Sequence, residues 1–272
     1  MVSAALAPRN GIILIGVGMQ APQLPTAEAI AADPKYGKRL HAVLNHLRQS
    51  TYDQDDVLQF MAFAMPLARH SKAQLFQDLW ALWASGQRHG GYFVEFGAGD
   101  GLKMSNTWLL EVEMGWRGIL AEPNPTAIYA LRRNRRCQIS TRCVYSRSGE
   151  TLDFLIAEKR ELSRLAGIDP MDGHEARRRE GAVHATVQTI SLADLLIEAD
   201  APRVIDYMSV DTEGSEMEIL EAFDFGRWDI RAISVEHNGT AAREGLFDLL
   251  CRAGYRRQWP EMSLFDDWYI KV

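Results

Sequence analysis

Tyr92-Phe93-Val94-Glu95-Phe96-Gly97-Ala98-Gly99-Asp100-Gly101 is the stretch on which the fold turns. An apolar, β-prone run carries one carboxylate and then breaks into glycines at alternate positions. A helix-compatible segment, Met104 to Met114, follows at once. Strand, glycine turn and helix in that order form the edge of a nucleotide-binding crevice. Glycine lets the backbone curl tightly and approach a ligand where a Cβ would collide. The spacing narrows the ligand. A dinucleotide fingerprint seats its third glycine three residues after the second; Leu102 stands there, and the third glycine is Gly101. Glu95, just before the turn, would repel a pyrophosphate. A ligand with positive charge and no phosphate fits better.

Gly115-Trp116-Arg117-Gly118-Ile119-Leu120-Ala121-Glu122-Pro123-Asn124-Pro125 reads as a helix end, a second strand and a sharp stop. Glu122 follows the glycines by about 20 residues, where an open α/β sheet places the carboxylate that takes a ribose diol. Pro123 and Pro125 keep the chain extended past the strand tip. A nucleoside bearing an ammonium and a sulfonium satisfies both features, and S-adenosylmethionine is that ligand.

The chain has 272 residues, 47% hydrophobic and 24% charged, with a formal net charge of -6. This is the composition of a soluble globular protein, long enough for one large α/β domain with an extension. The acidic balance argues against a nucleic-acid partner, whose phosphates demand a basic face. Cys137, Cys143 and Cys251 form no metal-ligand spacing and no even disulfide set, so free thiols in a reducing cytoplasm are expected. Gly11 to Met19 is too short to span a bilayer and is not built as a signal peptide.

Lys35–Gln49 and Val57–Leu67 carry helical periodicity and read as packing helices of an N-terminal extension, residues 1–70. Ala73–Ser85 is a further amphipathic helix leading into the glycine strand. From residue 92 strand and helix alternate, the pattern of a parallel sheet covered on both faces. Strands are expected at 92–96, 117–121, 138–144, 204–210 and 230–236, and helices at 104–114, 126–133, 191–198, 214–223 and 241–252. The segments 255–259 and 264–272 read as a closing strand pair with an antiparallel edge. Residues 157–185, polar and rich in breakers after a possible strand at 152–156, read as a lid insertion. The Arg177-Arg178-Arg179 run within it has two readings, steering of an anionic substrate or a solvated helix end. Arg132-Arg133-Asn134-Arg135-Arg136 reads as cations complementing a helix dipole.

The second concentrated signal is Tyr207-Met208-Ser209-Val210-Asp211-Thr212-Glu213-Gly214-Ser215-Glu216, a strand ending at Asp211 with a helix starting soon after. Asp211 and Glu213 therefore belong at the carboxyl end of the sheet, facing the crevice. Ile233-Ser234-Val235-Glu236-His237-Asn238-Gly239 ends a strand in the same way. In-line transfer of a methyl group needs the acceptor positioned and its deprotonation assisted. Two devices fit the residues: His237 as a general base beside Asp211 and Glu213, or Asp211, Glu236 and Asn238 as oxygen ligands to Mg²⁺ or Mn²⁺.

These motifs resemble the FkbM family of S-adenosylmethionine-dependent O-methyltransferases. The resemblance runs through Phe93–Gly101, Ser105-Asn106-Thr107, Leu110-Glu111, Gly115–Ile119, Glu122–Pro125, Val187–Leu196, Val210–Glu216 and Asp267-Trp268-Tyr269, with Gln74, Gln77 and Asp78 in the entry helix. It covers about residues 71–272, leaving 1–70 outside. It implies a class I, Rossmann-like methyltransferase fold with a seven-stranded, mostly parallel sheet. Glu95 and the glycine loop, Gly97, Ala98, Gly99 and Gly101, would serve the methionine end of the cofactor and Glu122 the ribose, with Asn106, Pro123 and Asp211 also binding the cofactor. The implied acceptor is a hydroxyl on a sugar, glycan or natural product, and a second copy of the chain is admitted as a partner. The rival readings are a nicotinamide-dependent oxidoreductase, against which Leu102 counts, and a non-catalytic binding module, against which the polar strand tips count.

Overall fold

The computed structural model describes residues 55–168 and 178–272, together with Lys38, His41, Ala42 and Asn45, which lie exposed in a helix. The readings of Gly11–Met19, of the rest of Lys35–Gln49 and of residues 169–177 lie outside the described residues. The chain divides into two units, residues 1–55 and 56–272. The division falls ahead of the Val57–Leu67 helix rather than at residue 70. Leu58 and Phe60 of that helix are buried, and Phe60 packs on Trp83, Trp259 and Trp268.

The second unit opens with α1 (Asp56–Leu67) and α2 (Gln77–Ala84). Then β1 (Tyr92–Phe96), α3 (Trp108–Val112), β2 (Arg117–Ala121), α4 (Pro125–Asn134) and β3 (Gln138–Ser140) alternate strictly. The chain next turns aside through β4 (Cys143–Tyr145), β5 (Thr151–Ile156), a short turn of tight helix at Arg160–Leu162, β6 (Arg164–Leu165) and β7 (Val183–Ser191). Alternation resumes with α5 (Leu192–Glu198), β8 (Val204–Ile205), β9 (Tyr207–Val210), α6 (Glu216–Glu221), β10 (Asp229–Ile230), β11 (Ala232–Glu236) and α7 (Ala242–Arg252). The strands β12 (Tyr255–Gln258) and β13 (Asp266–Lys271) close the unit.

The large sheet has seven strands in the order β12-β13-β11-β9-β1-β2-β3. Pairings from β11 through β9, β1 and β2 to β3 are parallel, whereas β13 is antiparallel to both β11 and β12. The sheet is therefore mixed, with its antiparallel pairings confined to the closing strand pair. The short link between β12 and β13 can only return the chain in the opposite sense, since a parallel pair needs a long crossover.

Strand parity explains why helices cover both faces. Val94, Phe96, Ile119, Ala121, Met208, Val210, Ile233 and Val235 form one core with side chains of α5, α6 and α7. Phe93, Leu120, Tyr207, Ala232 and Trp268 form another with α1, α2, α3 and α4. Each large apolar side chain so buried contributes roughly 1.5–3 kcal/mol, which holds the strand tips in fixed register.

Three boundaries differ from the sequence reading, each for a local reason. The expected strand 138–144 splits, because Arg142 N donates to Ser140 Oγ at 3.3 Å in a turn after β3. The chain then leaves for a second sheet, ordered β4-β7-β5-β6. The expected strand 204–210 splits at Asp206, whose carboxylate accepts from Tyr92 N at 2.9 Å and pairs with Arg88 and Arg231. The helix expected at 104–114 shrinks to α3, because Met104 has a φ of 58° and residues 105–107 bend around Glu95. The second sheet flanks the expected lid through 151–156 and 183–191 and enters it at 164–165 and 183–185.

Candidate functional site

A cavity of about 860 Å³ opens at the carboxyl ends of β1, β2, β9 and β11. Its walls include Gly97, Ala98, Gly99, Glu122 and Pro123 on one side and Asp211, Glu213, Glu236 and Asn238 on the other. The second sheet contributes Phe154 and Leu165, and the entry to α2 contributes Gln74.

The glycine turn is built by close backbone approach. Gly97 N donates to Ala121 O at 3.1 Å, and Asp211 N donates to Phe96 O at 3.3 Å. Gly97 has a φ of 84°, and a Cβ there would overlap the Asp211 carbonyl, with its carbon at 2.8 Å. Gly99 differs: its φ is 53°, and an added Cβ meets nothing within 4 Å. Gly97 thus serves the packing of two strand tips, while Gly99 leaves open space on the cavity wall for a ligand. Gly101 lies outside the wall, packed against Leu131 and Arg135.

Glu122, 6% exposed, accepts from Gly99 N at 2.6 Å and from Asn124 N at 2.7 Å. Burial outweighs these bonds and raises its pKa to about 7. Each carboxylate oxygen still has an acceptor lone pair to offer. Glycine wall, open space and buried acceptor together fit a nucleoside with a ribose diol.

Glu95 and Asn106 are placed otherwise than expected. Neither lines the cavity. Glu95 is buried and accepts from Ser105 Oγ at 3.2 Å, Asn106 N at 2.9 Å and Thr107 Oγ1. Arg135 Nη1 stands 3.6 Å away from it. Alternation decides this: Glu95 shares a sheet face with Phe93, not with Phe96. Asn106 Nδ2 donates to Ser209 Oγ at 2.9 Å, tying the same loop to β9. Both residues support the glycine turn from behind.

His237 also stands off the cavity wall. Its Nδ1 accepts from Gly239 N at 2.9 Å, and its Nε2 faces Asp267 Oδ1 at 3.8 Å. Burial holds its pKa below the usual histidine value against the pull of Asp267. It tightens the turn after β11.

The carboxylates do converge. Asp211, Glu213 and Glu236 each place an oxygen within 4.8 Å of the others. Desolvation, and then the neighbouring acids, push Asp211 and Glu236 well above the usual carboxylate range. Glu216 lies behind them and holds the turn, accepting from Thr212 N at 2.8 Å and Gly214 N at 3.1 Å.

Two arginines take roles that the sequence did not display. Arg178 of the insertion is fully buried and donates from Nη2 to Glu213 Oε2, so the middle of the 177–179 run is not a solvated face. Arg135, also fully buried, pairs with Glu111 and donates from Nη1 to Ser105 Oγ at 3.0 Å and from Nη2 to Thr107 Oγ1 at 2.8 Å. A run of arginines after a helix gives no sign of which one turns inward. Cys143 lines the cavity, but burial pushes its thiol up to about 12, which leaves it inert.

The sequence profile described as "Methyltransferase FkbM domain" matches residues 95–257. The chain belongs to the FkbM methyltransferase family. It is an S-adenosylmethionine-dependent methyltransferase, which sets aside the nicotinamide alternative. No curated protein sequence matches it. Among solved structures it is similar to the precorrin-6y C5,15-methyltransferase of Geobacter metallireducens GS-15, at 13% identity and a TM-score of 0.37, over 71% of this chain and 87% of that one. It is also similar to the plantazolicin methyltransferase BpumL in complex with SAH, at 11% identity and a TM-score of 0.36, over 91% and 94% of the two chains. No helix among the described residues of this FkbM-family chain is long and apolar enough to cross a membrane.

Proposed function

We infer that this FkbM-family enzyme methylates a hydroxyl of a sugar, glycan or natural-product acceptor. One observation carries the reading: the glycine turn, Glu122 and three strand-tip carboxylates open into a single cavity. S-adenosylmethionine, when bound, supplies an electrophilic methyl group on a sulfonium. Glu122 offers acceptors for two ribose hydroxyls, Pro123 keeps the chain beside it extended, and the Gly97–Gly99 turn admits the ligand against the backbone. Asp211 and Glu213 face the acceptor. There they would orient its hydroxyl and take up the proton it loses on methylation. The insertion, through Phe154 and Leu165, shapes the acceptor side. An aliphatic hydroxyl is a weak nucleophile at neutral pH, so loss of this assistance costs turnover more than binding.

Two variants test the assignment. Glu122→Ala removes hydrogen bonds to a charged group, each contributing about 1.5–3 kcal/mol. Calorimetry should show affinity for S-adenosylhomocysteine falling by at least ~tenfold. Unchanged affinity would place the ribose elsewhere. Asp211→Asn keeps the shape of the side chain, and cofactor affinity should stay near the parent value. Transfer of labelled methyl into hydroxylated acceptors should fall by on the order of a hundredfold, the scale of acid–base assistance. Normal transfer by a folded Asp211→Asn protein would reduce that carboxylate to a structural role.

A further inference from the structure

We propose that Asp211, Glu213 and Glu236 hold one hard divalent cation, of the Mg²⁺ or Mn²⁺ class, at the acceptor end of the cavity. The proposal deepens the methyl-transfer reading and rests on it for the cation's purpose, though not for its binding. The three ligand oxygens lie within 4.8 Å of one another. An octahedral cation with oxygens at about 2.0–2.1 Å keeps adjacent ligands about 2.9 Å apart and opposite ones about 4.2 Å apart. The observed spread admits either arrangement.

A second observation asks for a ligand at this place. Glu236 is 8% exposed and lines the cavity, yet its Oε2 accepts no hydrogen bond. A buried carboxylate oxygen left in that state is costly unless a cation meets it. Asp211 and Glu236 lie against each other and share a side-chain hydrogen bond, and the other acids acting on the pair are Glu213, Glu216 and Asp266. Two of these are occupied locally, Glu216 by the backbone of Thr212 and Gly214 and Asp266 by Gln77 Nε2 at 2.6 Å. The third, Glu213, gives Oε2 to Arg178, so the cluster already draws one cation from the insertion.

The donor set selects the metal. Carboxylate oxygens suit magnesium and manganese, whereas zinc and copper favour imidazole or thiolate. His237 is turned to Gly239 and Asp267, and the cluster contains no cysteine. Asn238 on the same wall offers a neutral oxygen in addition. A divalent ion there places positive charge where an acceptor hydroxyl must lose its proton, which lowers the pKa of that hydroxyl.

Mn²⁺ alone is the probe. The full chain is titrated with Mn²⁺ without acceptor, and the free-ion signal is followed by electron paramagnetic resonance. One equivalent should leave the free pool, and Mg²⁺ should displace it. Glu236→Gln should weaken the binding by roughly tenfold or more, at least the scale seen when a mere supporting partner of a metal ligand is lost. Retained affinity for S-adenosylhomocysteine shows that the variant is folded; where it is not, Asp211→Asn takes its place. No Mn²⁺ uptake at millimolar concentration overturns the proposal, as does uptake that both folded variants leave unchanged. Methyl transfer to a hydroxyl by a chain that takes up no Mn²⁺ defeats the cation and spares the reaction. Specific Mn²⁺ uptake without any hydroxyl methylation does the reverse.

Discussion

Gly97→Ala is expected to abolish detectable cofactor binding and to destabilise the fold. The added methyl would occupy the position of the Asp211 carbonyl oxygen, and it sits on a backbone with a φ of 84°. A non-glycine residue in that conformation costs about 1–3 kcal/mol. Overpacking adds about 1–3 kcal/mol more, against backbone atoms that have no rotamer to escape into. A loss of ~2–6 kcal/mol is a large share of the 5–15 kcal/mol or so that a domain possesses. Gly99→Ala is the matched comparison, since its Cβ meets only open space. With a φ of 53° it carries the backbone cost without the overlap, so it should unfold between the parent and Gly97→Ala and still bind S-adenosylhomocysteine more weakly. Thermal unfolding and calorimetry on the pair decide the matter. A Gly97→Ala protein with parental stability and affinity would mean that β1 and β9 do not approach as closely as described.

Arg135→Ala should be the most destabilising change outside the cavity. The guanidinium lies fully buried between Glu95 and Glu111 and also serves Ser105 and Thr107. Its removal leaves two carboxylates without their cation, and breaking a buried pair from one side typically costs about 3–5 kcal/mol. Urea unfolding should show that loss. Adding Glu95→Gln to the variant should return part of it, because residues in one network do not add independently. A loss below about 1 kcal/mol, the level of an exposed pair, would show that water reaches the network and that the 105–107 loop is held by other means.

The scaffold was legible where strands are buried on both faces. Phe93–Phe96, apolar but for Glu95, stops at Gly97, and the apolar run Ile119–Ala121 starts after Gly118 and stops at Glu122-Pro123, so their limits could be read directly. The second sheet was harder. Two-residue β6 carries no pattern, and β7, Val183–Ser191, alternates buried and polar residues only over its second half. In the site, Glu122 and Asp211 were legible because each follows a strand whose end is marked. Glu95 stands off the cavity wall for a reason already present in the sequence: a residue one place from Phe96 in a strand faces the other side. His237 lies just past the end of β11, where strand parity no longer governs direction. Arg135 and Arg178 were hidden for a different reason. Which cation of an arginine run is buried depends on acids distant in sequence, Glu95 and Glu111 for one and Glu213 for the other.

The pairing of β5 with β7 bears on how such a chain diversifies. Ile156 and Val183 are partners at the open end of that ladder, so the segment between them leaves and returns at adjacent points. Once the ends are clamped, doubling the length of what lies between costs only about 0.6 kcal/mol in closure entropy. Descendants of this gene can therefore lengthen the parts of that stretch outside β6 and Arg178, which are tied to β5 and Glu213, while the cofactor half of the molecule keeps its register. Selection for a new acceptor can act there at little cost to the fold.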